Sequence, residues 1–147
     1  MAIYLKCVSQ KAGNIQGGVT AQGFQNWIEV TSLEFGYRRP MELNHPTGRA
    51  VVSDIRVTKH VDKASVLLSQ LGMMNDASTL NVCYVKEGAG HKAYLKIDVS
   101  NALVSQYDHL ASHDGSTVEK VSFSFTKMDY TWMDGGIMGT IDLMLPA

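Results

Sequence analysis

The sequence predicts a mainly β domain: a compact β-barrel or two packed sheets of about eight strands, one α-helix around residues 63–74 and two long loops. Three observations carry this. Runs that alternate apolar and polar side chains with a period of two recur along the chain, as half-buried strands require. One stretch alone, after Asp62, changes to a helical period. Clusters of glycine and proline punctuate the runs. A chain of 147 residues fits a single domain, 1–147, and a hydrophobic share of 45% suffices for a real core.

Residues 3–8 alternate and open the fold as a strand. Residues 9–26 hold Gly13, Gly17, Gly18 and Gly23 among polar side chains, which predicts a long flexible connection at the surface. Trp27 to Tyr37 is the second strand. Its inward set changes parity, from Ile28 and Val30 to Leu33, Phe35 and Tyr37, so a β-bulge or sharp bend is expected near Thr31-Ser32. Residues 38–50 form the second long loop, because Pro40, Pro46 and Gly48 block regular structure. Met41 and Leu43 are apolar within it; they either fold back on their own domain or seat on a partner.

The stretch from Val51 to Leu71 organises the rest. Val51, Ser53, Ile55 and Val57 alternate with Val52, Asp54, Arg56 and Thr58, so this is a strand. Beyond Asp62, Leu67, Leu68, Leu71 and Met74 share one helical face. Asp62 and Ser65 are both candidates to cap the first turn, and Gly72 is the expected weak point or stop near the end. A lone amphipathic helix needs a sheet to lie on, and the remaining segments supply it.

Leu80 to Lys86 is a strand, Glu87 to Gly90 a hairpin turn, and His91 to Val99 the return. Ala93, Leu95, Ile97 and Val99 fall on one face of the return; Tyr94, Lys96 and Asp98 fall on the other. Asn101 to Leu110 continues as strand, and Ser112 to Ser116 turns the chain. Val118 to Lys127 sets Val121, Phe123 and Phe125 against Lys120, Ser122, Ser124 and Thr126, and Tyr130 to Trp132 extends it. Asp134-Gly135-Gly136 turns again, and Ile137 to Leu145 closes the fold.

A net charge of −1 argues against a general nucleic-acid binder and against a polybasic membrane-surface protein. No apolar run approaches the roughly 20 residues of a membrane helix, so no membrane insertion is expected. The start, Met1-Ala2-Ile3-Tyr4-Leu5-Lys6-Cys7-Val8, lacks a basic segment followed by a long apolar one. Synthesis in the cytosol without a signal peptide is therefore expected. Cys7 and Cys83 lie in strand-like runs and are expected as reduced core thiols; a bridge between them requires neighbouring strands.

Chemistry is sparse. His109 and His113 stand four apart beside Asp108 and Asp114, but a strand end and a turn do not bring both rings together as a helix would. His45, His60 and His91 are scattered, as are Asp54, Asp62, Asp98, Asp129, Asp134 and Asp142. There is no Cys-x-x-Cys, no Gly-x-Ser-x-Gly and no phosphate-cradling glycine loop. The Arg38-Arg39 doublet reads as a solvated loop sooner than as an anion site. No catalytic residue, cofactor or metal is expected, which favours an assembling or binding protein over an enzyme.

Three stretches together resemble the haemolysin-coregulated protein (Hcp) family, tube subunits of bacterial type VI secretion systems. Trp27 to Leu33 is similar to the family's second strand. Val57-Thr58-Lys59-His60-Val61-Asp62-Lys63-Ala64-Ser65 resembles its Thr-Lys-x-x-Asp-Lys-x-Ser signature leading into the helix. Val121 to Trp132 is similar to its late strand. One departure is visible: Val66 stands where the family often has proline, the residue pre-set for helix entry. The resemblance implies a β-barrel with one helix, six copies in a ring, and rings stacked into a hollow tube expelled from the cell. It also implies a spike protein at the tip, a contractile sheath and effector proteins as partners, with effectors in the lumen.

On that reading the loop holding Arg38, Arg39, Met41, Leu43 and His45 is the expected contact between stacked rings. Polar strand faces bearing Lys96, Asp98, Ser122 and Ser124 are candidates for the pore wall. The rival readings are a toxin or a carrier fused to one, and a monomeric secreted β-domain that binds a peptide or carbohydrate.

Overall fold

The computed structural model describes residues 1–86 and 92–143. They form one helix, α1 (Ser65–Met74), and fourteen strands. The strands before the helix are β1 (Ala2–Ser9), β2 (Gly13–Ile15), β3 (Ile28–Val30), β4 (Ser32–Glu34), β5 (Tyr37–Arg38), β6 (Met41–Glu42), β7 (His45–Pro46), β8 (Val51–Val52) and β9 (Ile55–Lys59). After it come β10 (Ser78–Val85), β11 (Ala93–Ala111), β12 (Thr117–Ser124), β13 (Lys127–Trp132) and β14 (Ile137–Asp142).

Two layers pack face to face. One runs β1–β10–β11–β13–β14, with β2 and β3 both on the outer side of β1; the other runs β4–β9–β12–β11. Among the described residues the hydrogen-bonded path ends on β2 and on β4, and these do not pair, so the sheet stays open rather than closing into a barrel. The two-packed-sheet form of the expectation is the one realised.

Strand β11 belongs to both layers. Leu95 to Ser100 pairs β13, whereas Leu103 to Ala111 pairs β12. The changeover falls on Asn101, whose φ of 53° is left-handed backbone that asparagine tolerates better than most side chains. The late strand breaks for the same reason. Phe125 and Thr126 separate β12 from β13, which lie in different layers, so the expected continuous strand is two strands.

The inward faces bury Leu5, Leu80, Val82, Ile97, Val99 and Met128 from one layer against Ile55, Val57, Val121 and Phe123 from the other. The break between β3 and β4 falls at Thr31, matching the parity change there. Residues 9–26 are less of a surface loop than expected. Gly13–Ile15 is a strand on β1, and Val19 and Phe24 are buried with Tyr4, Cys83 and Val85 on the opposite face of the first layer. Gly17 makes that strap possible, because a Cβ there would stand 2.4 Å from the Trp27 carbonyl oxygen. Residues 38–50 likewise hold a short ladder, β6 with β7, and a second, β5 with β8, closes the segment at its base.

Helix α1 departs from its expected ends. Its first residue is Ser65, preceded by Ala64 with no side-chain cap. Asp62 Oδ1 accepts from the Ala64 N–H at 2.9 Å and Ser65 Oγ from the Asp62 N–H at 3.0 Å, so both candidates tighten the approach without capping the helix. Gly72 is interior, 3.2 Å from Val104 if it bore a Cβ, and the stop is Asn75 at φ 52°. Leu68 and Leu71 enter the core; Leu67 and Met74 remain exposed. The predicted Glu87–Gly90 turn, His91 and Leu145 lie outside the described residues.

Cys7 and Cys83 are both free and buried on neighbouring strands. Cys7 faces Leu80 and Cys83 faces Tyr4, so they sit on opposite faces of the layer and cannot bridge. Burial pushes the Cys7 thiol up to about 11, which keeps it protonated and unreactive.

Candidate functional site, an exposed arm and a buried ion cluster

Strands β4 and β9 pair as Ser32 with Thr58, Leu33 with Val57 and Glu34 with Arg56. The chain between them leaves the domain at the Glu34–Arg56 end as a two-stranded arm. Gly36 and Ser53 clamp its base through reciprocal bonds of 2.8 Å, Gly36 N–H to Ser53 Oγ and Ser53 N–H to the Gly36 carbonyl. Phe35 anchors that base against Tyr130, ring centroids 5.6 Å apart. Beyond it Tyr37 pairs Val52, and further out Met41 pairs Pro46 and Glu42 pairs His45.

All five residues expected in this loop lie on the arm. Arg38 and His45 are exposed strand residues, Arg39 donates Nε–H to the Gly48 carbonyl at 3.3 Å, and Met41 is exposed. Leu43 forms the tip with Asn44, at φ 47° and 66°, the pattern of a two-residue hairpin turn. Such turns favour Asn and Gly. A leucine there, 90% exposed, costs about 1–2 kcal/mol in backbone strain and buries nothing in its own chain.

The four pore-wall candidates divide between two surfaces. Lys96 and Asp98 lie on the outer face of the first layer. Asp98 stands in a cross-strand row running Lys6, Asn81, Asp98, Asp129, Thr140 across five strands. Asn81 Nδ2 donates to Asp98 Oδ1 at 2.7 Å and Thr140 Oγ1 to Asp129 Oδ1 at 2.7 Å. Ser122 and Ser124 lie on the outer face of the second layer. Ser124 is exposed, but Ser122 is buried and accepts from Arg56 Nε at 3.4 Å. The core lies between the two surfaces, so no single face carries all four. The other members of the row were legible as the outward parity of β1, β10, β13 and β14.

The signature run builds a buried ion cluster. Lys59 Nζ donates to Glu119 Oε1 at 2.6 Å, to Asp62 Oδ1 at 2.9 Å, to the His60 carbonyl at 3.0 Å and to Ser65 Oγ at 3.2 Å. Tyr107 donates its hydroxyl to the other Glu119 oxygen. The side chains of Lys59 and Glu119 are 0% exposed. Burial pushes the Glu119 carboxyl up, but hydrogen bonds from Lys59, Tyr107 and Ser65 and the Lys59 charge outweigh it, leaving the group below its usual range. Burial first, then the bond and charge of Glu119, raise the Tyr107 phenol. The motif's Lys, Asp and Ser thus weld β9 and the helix start to β12 and β11. Glu119 and Tyr107 were missed from the sequence. Glu119 had a signal: it stands at the inward parity of Val121 and Phe123, as Lys59 does with Ile55 and Val57.

His109 ends β11 and His113 lies in the following turn. Among the described residues no three His, Cys, Asp or Glu side chains gather as a metal site, and no helix is long and apolar enough to cross a membrane.

Comparison with solved structures shows the fold in other proteins. The chain is similar to a variant of Hcp1 from the E. coli EAEC 042 pathovar at 20% identity and a TM-score of 0.86, covering 97% of this chain and 99% of that one. It is similar to Hcp1 from Salmonella typhimurium at 21% identity and a TM-score of 0.77, covering 97% and 96%. The secreted protein Hcp3 from Pseudomonas aeruginosa matches at 19% identity and a TM-score of 0.76, covering 95% and 98%. Comparison with curated protein sequences gave no match. The pattern of the family described as type VI secretion system effector, Hcp, matches residues 4–132, from within β1 to the end of β13. With most of the chain so matched, and the fold shared, this protein belongs to the Hcp family of type VI secretion.

Proposed function

We propose that the protein is a tube subunit: six copies close head to tail into a ring, and rings stack into a hollow tube that leaves the cell and carries effectors in its lumen. It does so by shape and contact rather than by catalysis, with the tip spike and contractile sheath as further partners. The observation that carries the stacking step is the arm. A two-stranded hairpin alone is marginal in water, yet this one projects with Tyr37, Met41, Leu43 and Val51 exposed. A strained leucine at its tip gains nothing until another surface covers it. A ring of unlike surfaces supplies that surface on the next ring.

For the pore wall we propose the outer face of the first layer, with Lys96 and the row through Asp98. Away from the strap, the row through Asp98 is polar, whereas Ser122 is already covered by Arg56. Deleting residues 41–48 tests the arm. Light scattering should still give a particle of about six times the 16.1 kDa chain, while secretion is lost. Secretion that persists removes the arm from the mechanism. A monomer at micromolar concentration removes the ring and leaves a ligand-binding β-domain.

A further inference from the structure

We infer that a recess at the far end of β9 receives the arm of a second copy, through salt bridges from arm arginines to Glu29 and Asp62. The inference rests on the stacking reading and names the surface that stacking would use. The recess, about 220 Å³, is lined by Gly18, Glu29, Thr31, His60 and Asp62. Its position follows from the ladder. The arm leaves β9 before Ile55, and the recess opens after Lys59, so the length of β9, roughly 13 Å, separates the two. Copies related by translation along that direction bring one arm to the next recess.

Charge agrees with the geometry. The arm carries Arg38 and Arg39 against Glu42. At the other end the carboxylates Glu119, Asp62 and Glu29, the last on the exposed side of β3, stand against the cations Lys59 and Lys63, leaving an excess of one negative charge there. Gly18 bears no side chain and has nothing within 4 Å of where a Cβ would stand, so the wall there leaves room for a guanidinium. Arginine is the residue suited to such a seat, since its planar fork pairs with carboxylates in two places at once. Opposite charges on opposite ends also oppose head-to-head stacking.

Charge exchange in the purified full-length chain tests this, with light scattering confirming intact rings. Glu29→Arg is expected to lower the fraction of stacked rings in sedimentation about fivefold at low salt, and Arg38→Glu/Arg39→Glu to do the same. The combined variant is expected to recover most of the loss. Wild-type stacking in Glu29→Arg, or no recovery in the combined variant, overturns the recess. The 41–48 deletion separates the two failures. If it abolishes stacking while Glu29→Arg does not, the arm stands and the recess falls; if neither matters, both fall.

Discussion

Lys59 on β9 and Glu119 on β12 are direct partners in the strand ladder and also form a 2.6 Å ion pair with both side chains sealed from solvent. The ladder fixes their backbones side by side on the inward face, so the pair needs no loop to position it. Removing one member strands the other in the core. Lys59→Met is expected to cost about 3–5 kcal/mol in urea unfolding. The combined Lys59→Met/Glu119→Leu variant should cost less than Lys59→Met alone, because no unpaired charge remains. A Lys59→Met cost below about 1 kcal/mol would show the cluster to be incidental.

Acid should loosen the same cluster. The Glu119 carboxyl is held below its ordinary value of 4.5 in the folded chain. The unfolded chain therefore binds the proton first as pH falls. The stabilisation is complete above 4.5 and drains away as the pH drops through the lowered value. Urea titrations at descending pH should show a steeper loss in the wild type than in Glu119→Gln. Parallel curves would assign acid sensitivity elsewhere.

Leu43→Asn should separate fold from assembly. Asparagine accepts the left-handed backbone that leucine resists, so the melting temperature should hold or rise, by the equivalent of up to about 1 kcal/mol. Secretion should fall. A lower melting temperature would mean that Leu43 serves its own domain.

Gly17→Ala tests the strap over the first layer. The added Cβ meets the Trp27 carbonyl oxygen at 2.4 Å and Ile28 Cα at 2.7 Å, both backbone atoms that cannot swing aside. A cost of about 1–3 kcal/mol is expected. In a Trp132→Phe background the emission of Trp27 should shift to the red as the strap lifts from Phe24. Unchanged emission and stability would mean that the strap yields without loss.

The alternation of Val121, Phe123 and Phe125, and of Ile55 and Val57, was enough to place the core strands, because a period of two leaves no other way to bury one side. The parity change at Thr31 located a real break. What failed was pairing over distance. Nothing local in Ser124-Phe125-Thr126-Lys127 says that the chain changes layer there; that follows from β11 bending at Asn101. Gly17 and Gly18 read as flexibility in the sequence, whereas Gly17 is a close contact. Lys59, Asp62 and Ser65 stand in a legible signature, but their common purpose depends on Glu119, sixty residues on from Lys59. The arm residues fall together because proline, glycine and paired arginines keep them out of the sheet; Lys96, Asp98, Ser122 and Ser124 do not, since a strand's polar side does not say which layer it faces.

Because β11 is hydrogen-bonded into one layer through Ser100 and into the other from Leu103, neither layer can be peeled away as a separate foldon. Amide protons of Ile97 and Tyr107 should exchange with deuterium through the same global opening. A chain built this way would transmit a push on one layer to the other as a rigid block.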